Sequence, residues 1–192
     1  MDDVGAVAAK ARMRAQVRAA RAARTPVQRD DAAPALAAAV LALPELAGVP
    51  TVAAYASRPD EPGTAPLLAA LRERGCTVVL PCVVGQDLQW GELDDTGLSP
   101  AAFGIDEPRG PRRSDPHGVD VVIAPALAVD AHGHRLGQGG GYYDRALTDA
   151  RVPVIALVHD DELVNEVPVE PHDLIVDIVV TPTRVVRVTP TS

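Results

Sequence analysis

The run Arg135-Leu-Gly-Gln-Gly-Gly-Gly-Tyr-Tyr-Asp-Arg145 constrains the fold more than any other stretch of the chain. Gly137, Gly139, Gly140 and Gly141 fall within five residues. Glycine loses more backbone freedom on ordering than any other residue, so such a run is kept where side chains would obstruct or φ must be positive. The apolar residues 119–124 before it predict a buried strand, and residues 142–150 after it predict a helix. Strand, glycine loop and helix start together present free backbone N–H groups to an anion, usually a phosphate. A loop kept small for packing is the alternative. Neither common phosphate motif is present. No Lys follows the glycines, and a G-x-G-x-x-G begun at Gly137 and Gly139 has Tyr142 where its third glycine belongs. Arg135 and Arg145 put cations at both ends of the loop. Asp144 falls in the first predicted helical turn, where a carboxylate is favoured and could meet a magnesium ion.

The rest of the chain narrows the class. At 192 residues, one domain spanning 1–192 is expected. No apolar run approaches the ~20 residues that cross a bilayer, and the N-terminus lacks a signal-peptide apolar core. A cytoplasmic protein without a membrane partner is therefore expected. Cys76 and Cys82 are the only cysteines and form no C-x-x-C, which points away from a disulfide framework or zinc site. The net charge of −8 argues against nucleic-acid binding, so cations for an anionic ligand must be concentrated locally. Of 18 basic residues, Lys10 is the single lysine. Its compact ammonium is not equivalent to a guanidinium, although chance survival in an Arg-rich chain explains it equally.

Residues 4–24 predict a helix with Lys10, Arg14, Arg18 and Arg21 along one face, and a solvated charge stripe is the alternative to a binding face. A second helix is expected at 34–46, begun by Pro34. Residues 51–56 read as a strand, 57–63 as a loop carrying Glu61, and Thr64 as the cap of a helix to residue 74. Strands follow at 76–84, 88–90, 152–158 and 175–181, with an edge strand at 185–188. Continuously apolar strands alternating with helices predict an α/β, single-domain, three-layer fold: a mainly parallel sheet with helices on both faces. The ligand is expected at the strand C-terminal edge.

The segment Asp130-x-x-Gly133-x-Arg135-Leu-Gly-x-Gly-Gly-Gly-Tyr-Tyr-Asp-Arg145 resembles the signature of 5-formyltetrahydrofolate cyclo-ligases, or methenyltetrahydrofolate synthetases. Lys10-x-x-x-Arg14, Phe103-Gly-Ile-Asp-Glu-Pro108 and Pro168-x-x-x-His172-Asp173-x-x-x-Asp177 resemble further motifs of that family. Val129 departs from it, standing where the family usually has an aromatic residue. The resemblance implies an ATP- and Mg2+-dependent ligase acting on a reduced folate. It would convert 5-formyltetrahydrofolate to 5,10-methenyltetrahydrofolate, ADP and phosphate through a phosphorylated formyl group, an iminium phosphate. It assigns Lys10, Arg135 and Tyr142 to catalysis. ATP would meet Lys10, Arg14, Arg135, Gly137, Gln138, Gly139, Gly140, Gly141, Tyr142 and Tyr143. The folate would meet Glu61, Gln138, Gly139, Gly140, Gly141 and Tyr142, and Asp144 and Asp173 would hold the metal. Trp90 and Phe103 are candidate walls for a pterin ring, with a core role the alternative. Arg112-Arg113 could meet a polyglutamate tail or be a solvated connector. A monomer or weak dimer is expected. Two other readings stay open at this level: a phosphosugar or coenzyme-A-ester enzyme using the same loop, and a folate-binding paralogue without turnover.

Overall fold

The computed structural model describes residues 3–100, 106–110, 112–113, 118–148 and 150–189. Strong helix formers give α1 (Asp3–Ala23). The next helix, α2 (Pro26–Leu41), is started by a capping box: Thr25 Oγ1 accepts from Gln28 N at 3.2 Å, and the Gln28 side chain accepts from Thr25 N at 2.9 Å. This corrects the expected helix at 34–46. The helix begins eight residues earlier, and residues 44–46 form a separate 3-10 turn. Pro34 lies in its interior, where a proline costs about 3 kcal/mol or more. The capping box and the burial of Leu36, Ala37 and Val40 offset that cost.

Next come β1 (Thr51–Ala53), α3 (Ala65–Glu73) and the hairpin β2 (Thr77–Val84) and β3 (Asp87–Glu92). A small pair, β4 (Leu98–Pro100) with β5 (Asp106–Pro108), and a two-residue strand β6 (Arg112–Arg113) lead to β7 (Val121–Pro125). The remaining elements are β8 (Ala128–Asp130), β9 (Arg135–Leu136), α4 (Tyr142–Ala146), β10 (Val154–Leu157), β11 (Leu163–Val164), β12 (Ile178–Val180) and β13 (Val185–Arg187). One eight-stranded sheet runs in the order β13-β12-β10-β7-β1-β2-β3-β6. Its five inner strands, β12 to β2, are parallel, and β13, β3 and β6 are antiparallel edges. Strands β11, β8 and β9 form a second, small sheet. The α/β architecture is the one the alternation predicts.

The central strand shows why the inner strands are apolar throughout. Val121 and Ile123 pack on one face with Leu36 and Val40 of α2 and Leu67 and Leu71 of α3. Val122 and Ala124 pack on the other with Trp90, Leu147, Val176 and the partly buried Tyr143. Both faces are covered, as a parallel strand requires. On the second face the cover is α4, the small sheet and the segment after β11. Helix α1 lies over that sheet, with Met13 and Val17 on Leu127, Leu136 and Val167. Pro81 does not interrupt β2. The Val79 carbonyl accepts from Ala54 N at 2.9 Å, so two residues on, Pro81 faces the same side, where β1 has ended.

Two local expectations change. Thr64 stands at the start of α3 without capping it; its hydroxyl donates to the Tyr55 carbonyl at 2.7 Å and accepts from Ser57 N at 3.0 Å. It thereby ties the Glu61 loop to the end of β1. Helix α4 stops at Ala146 and falls short of the expected 150; beyond it the Thr148 hydroxyl takes the Asp144 carbonyl at 2.7 Å.

Candidate active site

The glycine run links β9 to α4 over the C-terminal edge of the large sheet. Gly141 sits at the N-cap of α4 with φ of 65°, a left-handed conformation that a side chain would strain. Three of the loop's carbonyls are taken by arginine side chains. Arg14 Nε donates to Gly137 O at 3.0 Å, Arg18 Nη2 to Gln138 O at 3.0 Å, and Arg145 Nη1 to Gly140 O at 3.1 Å. The N–H groups of Gly139, Gly140 and Gly141 donate no hydrogen bond among the described residues. A loop with arginines on three of its carbonyls and three successive N–H groups open is arranged to receive an anion.

On one side of the loop lies a pocket of about 420 Å3, walled by Tyr55, Pro81, Val83, Leu88, Tyr142 and Tyr143 among others. The walls are largely apolar, and Glu61 supplies a carboxylate. Its oxygens accept from Arg58 N at 3.0 Å, Arg58 Nη2 at 3.2 Å and Gln138 Nε2 at 3.3 Å. Tyr143 stands edge-on to Trp90, ring centroids 6.1 Å apart, with the Arg135 guanidinium 5.7 Å from its ring centre. Its hydroxyl is buried with no partner among the described residues. Burial pushes this phenol far above its ordinary pKa, and Arg135 only partly opposes the shift.

On the other side is a hollow of about 100 Å3. Three cations, Lys10, Arg14 and Arg135, and three carboxylates, Asp144, Glu170 and Asp173, line it. Lys10 is 3% exposed, and its Nζ lies 2.5 Å from Glu170 Oε2 and 2.6 Å from Asp173 Oδ2. Arg135 Nη2 bonds Asp144 Oδ1 at 2.7 Å, and Leu174 N donates to the same oxygen at 3.1 Å. Burial alone would raise the Asp144 carboxyl, but Arg135 and that N–H outweigh it and hold the group below the ordinary carboxylate range. Asp144 and Asp173 thus face one hollow, and ligand atoms of Glu170, His172 and Asp173 lie within 4.8 Å of one another. Hard carboxylate oxygens of this kind fit magnesium.

The scaffold behind the loop is Asp130, fully buried. It accepts from His132 N at 2.9 Å, His134 N at 3.1 Å and Val167 N at 3.0 Å, and pairs with His134 Nδ1 at 2.9 Å. One carboxylate therefore fixes both the turn before the glycines and the start of the segment that carries Glu170 and Asp173.

The expected site residues are brought together from four parts of the chain: α1, the loop after β1, the glycine run and the segment before β12. Gly137 and Gly141 line both hollows, as do Arg135 and Asp144; Gln138, Gly140, Tyr142 and Tyr143 line the larger and Gly139 the smaller. Arg145 differs from expectation. Its guanidinium lies 5.3 Å from the Tyr142 ring centre and donates to the Gln86 carbonyl, so it buttresses the loop from outside. Trp90, 1% exposed, is a core residue behind Tyr143 rather than a pocket wall. Phe103 lies outside the described residues, and so does the Arg113 side chain; Arg112 pairs with Glu107 at 3.1 Å. Sequence reasoning missed Tyr55, Arg58, Pro81, Val83 and Glu170. Of these only Glu170 carried a signal, an acidic residue three positions before Asp173 in a chain with one lysine to neutralise.

Comparison with known proteins agrees with this geometry. Residues 6–182 match the model of the 5-formyltetrahydrofolate cyclo-ligase family. The 5-formyltetrahydrofolate cyclo-ligase of Mycolicibacterium smegmatis is 44% identical over 144 residues, covering 70% of this chain and 74% of its own. That of Escherichia coli K12 is 33% identical over 178 residues, covering 88% and 98%. The solution structure of Aquifex aeolicus 5,10-methenyltetrahydrofolate synthetase superposes with a TM-score of 0.84 at 28% identity, covering 95% of this chain and 94% of that one.

Proposed function

The chain belongs to the 5-formyltetrahydrofolate cyclo-ligase family, and on that premise we propose that it closes 5-formyltetrahydrofolate to 5,10-methenyltetrahydrofolate at the expense of ATP. The observation that carries this reading is the glycine loop standing as a common wall between an apolar pocket and a hollow lined by three cations. A pocket of about 420 Å3 with flat aromatic walls and the Glu61 carboxylate on its side away from the smaller hollow suits a bicyclic ring bearing amide-like N–H groups, from which Glu61 would accept. The neighbouring hollow suits the phosphates of a nucleotide.

The chemical difficulty is that a formamide oxygen is a poor leaving group. Transfer of the γ-phosphoryl to that oxygen, with release of ADP, makes an iminium phosphate. The bridge nitrogen then attacks the formyl carbon, its proton is lost, and the carbon–oxygen bond breaks to free inorganic phosphate. Phosphoryl transfer of this kind depends on positioning and charge stabilisation more than on covalent help. Lys10, Arg14 and Arg135 would carry the phosphate charge, and the loop N–H groups would fix the γ-phosphoryl. Tyr142, at the start of α4 in the wall of the larger pocket, would align the formyl group and exclude water. Asp144 and Asp173 would hold Mg2+, which neutralises phosphate charge when bound. In this reading the protein acts on small molecules as a cytoplasmic monomer or weak dimer, without nucleic acid. No described helix is long and apolar enough to cross a membrane.

The test is optical. Purified protein, 5-formyltetrahydrofolate and Mg-ATP should give rising near-ultraviolet absorbance from the methenyl product. The rise should require both ATP and metal and be suppressed in Lys10→Ala and Asp144→Ala. A flat trace from folded wild-type protein would overturn the reading, and a folate-binding titration would then show whether the chain is a binding paralogue.

A further inference from the structure

The position of Lys10 is at odds with a residue waiting for phosphate. Its ammonium is turned towards two carboxylates: Asp173 accepts with both oxygens, at 2.8 and 2.6 Å, and Glu170 accepts at 2.5 Å. The turn at 170–173 enforces this geometry. Asp173 N donates to Glu170 O at 3.1 Å, and Glu170 N donates to Asp173 Oδ2 at 2.6 Å, so both acids are presented on one side. His172 brings a ring nitrogen into the same 4.8 Å group. A compact ammonium among hard oxygen donors occupies the place that a small cation would take.

The charge balance supports the same conclusion. The three cations and three carboxylates around the hollow cancel. A divalent ion entering alone would add two positive charges beside Lys10, Arg14 and Arg135. Bare nucleotide would add its negative charges beside Asp144, Glu170 and Asp173. Metal entering with the nucleotide cancels part of the charge that bare nucleotide would bring beside the acids, and leaves the cations an anion to meet, with Lys10 moving from carboxylates to phosphate as the metal replaces it.

We propose that the Lys10 ammonium holds the metal's place between Asp173 and Glu170 in the ligand-free protein. Metal and Lys10 then compete for these carboxylates, and Glu170 is a third acidic ligand beside Asp144 and Asp173. This rests on the magnesium reading given above. Lys10 is consequently both a phosphate-binding group and a plug that keeps the free protein from loading metal without nucleotide.

The experiment uses the full chain, Mn2+ alone as probe, and the loss of the free-ion paramagnetic resonance signal as readout. Without nucleotide, Lys10→Met should bind Mn2+ at least about tenfold more tightly than wild type, because a positive charge within hydrogen-bond distance of the donors is gone. Lys10→Arg should stay near wild type, and Glu170→Gln added to Lys10→Met should give back most of the gain. Equal or weaker Mn2+ binding by folded Lys10→Met would overturn the proposal while leaving the metal reading intact. No Mn2+ binding by any form, even with ATP, would overturn both. A second readout needs no substitution. Lys10 carries the only lysine amine, so Mn2+ alone should raise its labelling by an amine-reactive reagent, measured by peptide mass. Labelling unchanged at saturating Mn2+ would refute displacement.

Discussion

Arg21 and Glu162 form a two-pronged ion pair out of reach of water, and its removal gives the sharpest stability test. Arg21 Nε and Nη2 each lie 2.8 Å from a Glu162 oxygen, and both residues are 1% exposed. Arg21 Nη2 also donates to the Ala126 carbonyl at 2.7 Å, and Glu162 accepts from His159 N at 2.9 Å and Arg24 Nη2 at 3.2 Å. The pair therefore ties the end of α1 to the end of β7 and to the turn after β10. Glu162→Leu leaves a guanidinium charge buried without its partner, which costs about 3–5 kcal/mol. For a chain of this length that is roughly 6–20 °C in Tm at about 2–4 °C per kcal/mol. Arg21→Met strands the carboxylate and should cost a similar amount. The double variant removes both charges and keeps apolar volume, so only the partners at Ala126, His159 and Arg24 are lost, about 1–3 kcal/mol. Urea unfolding followed by circular dichroism on all four proteins yields the coupling energy. We expect the double variant to be at least about 2 kcal/mol more stable than the sum of the singles predicts. Single losses that add within about 0.5 kcal/mol would refute the reasoning, because they would show that neither charge depends on the other.

Three further outcomes are expected. Burial is the main cause of a lowered His159 pKa; Arg24 and Arg21 add to it while Glu162 opposes. The unfolded chain therefore takes up a proton near pH 6.5 before the folded one does, and stability is full above that pH and falls as pH drops through the folded value. Urea midpoints from pH 8 to 5 should show that decline, and His159→Gln should flatten it; an identical slope in both would count against the assignment. Gly133 has φ of 82°, and a Cβ there would overlap the Val176 carbonyl, a backbone atom that cannot step aside. Gly133→Ala should cost more than about 2 kcal/mol in thermal unfolding, and a loss under 0.5 kcal/mol would show that the turn yields. Trp90, the single tryptophan, touches Tyr143 behind the larger pocket. Its emission, corrected for absorption by the ligand, should change when reduced folate binds and stay constant in Tyr143→Leu; a silent wild-type titration would place the folate elsewhere.

The fold was legible where the signal is local and periodic. Apolar runs located the inner strands, and α3 ends close to the expected residue 74, followed by Gly75 with φ of 80°. The start of α2 was misplaced because Pro34 looks like a first-turn proline; the competing Thr25-x-x-Gln28 box is the stronger signal, since it satisfies two N–H groups. The pairing of β4 with β5 could not be read, because neither strand buries an alternating face. At the site, the family resemblance implies residues that the structure brings together, but not their present partners. Nothing in Lys10-x-x-x-Arg14 says that the ammonium meets acids 160 and more residues away. Arg58, Tyr55 and Val83 were invisible for another reason. Each is an ordinary residue made part of the pocket only by where β1 and β2 end.

The glycine loop is one thin wall with a hollow on each side, and the proposed reaction would put a different substrate in each. Gly137 and Gly141, which line both, cannot be tuned for one of them alone. A substitution that shifts Gly137 or Gly141 moves the floor of both hollows, so the Michaelis constants for nucleotide and folate should rise together along this stretch. Variants that separate the two constants belong to the flanks: Lys10 and Arg14 on one side, Tyr55 and Val83 on the other. For inhibitor design, a compound filling the aromatic pocket acts on the partition itself. In the proposed reaction it would, through that partition, alter the affinity for a nucleotide it never touches.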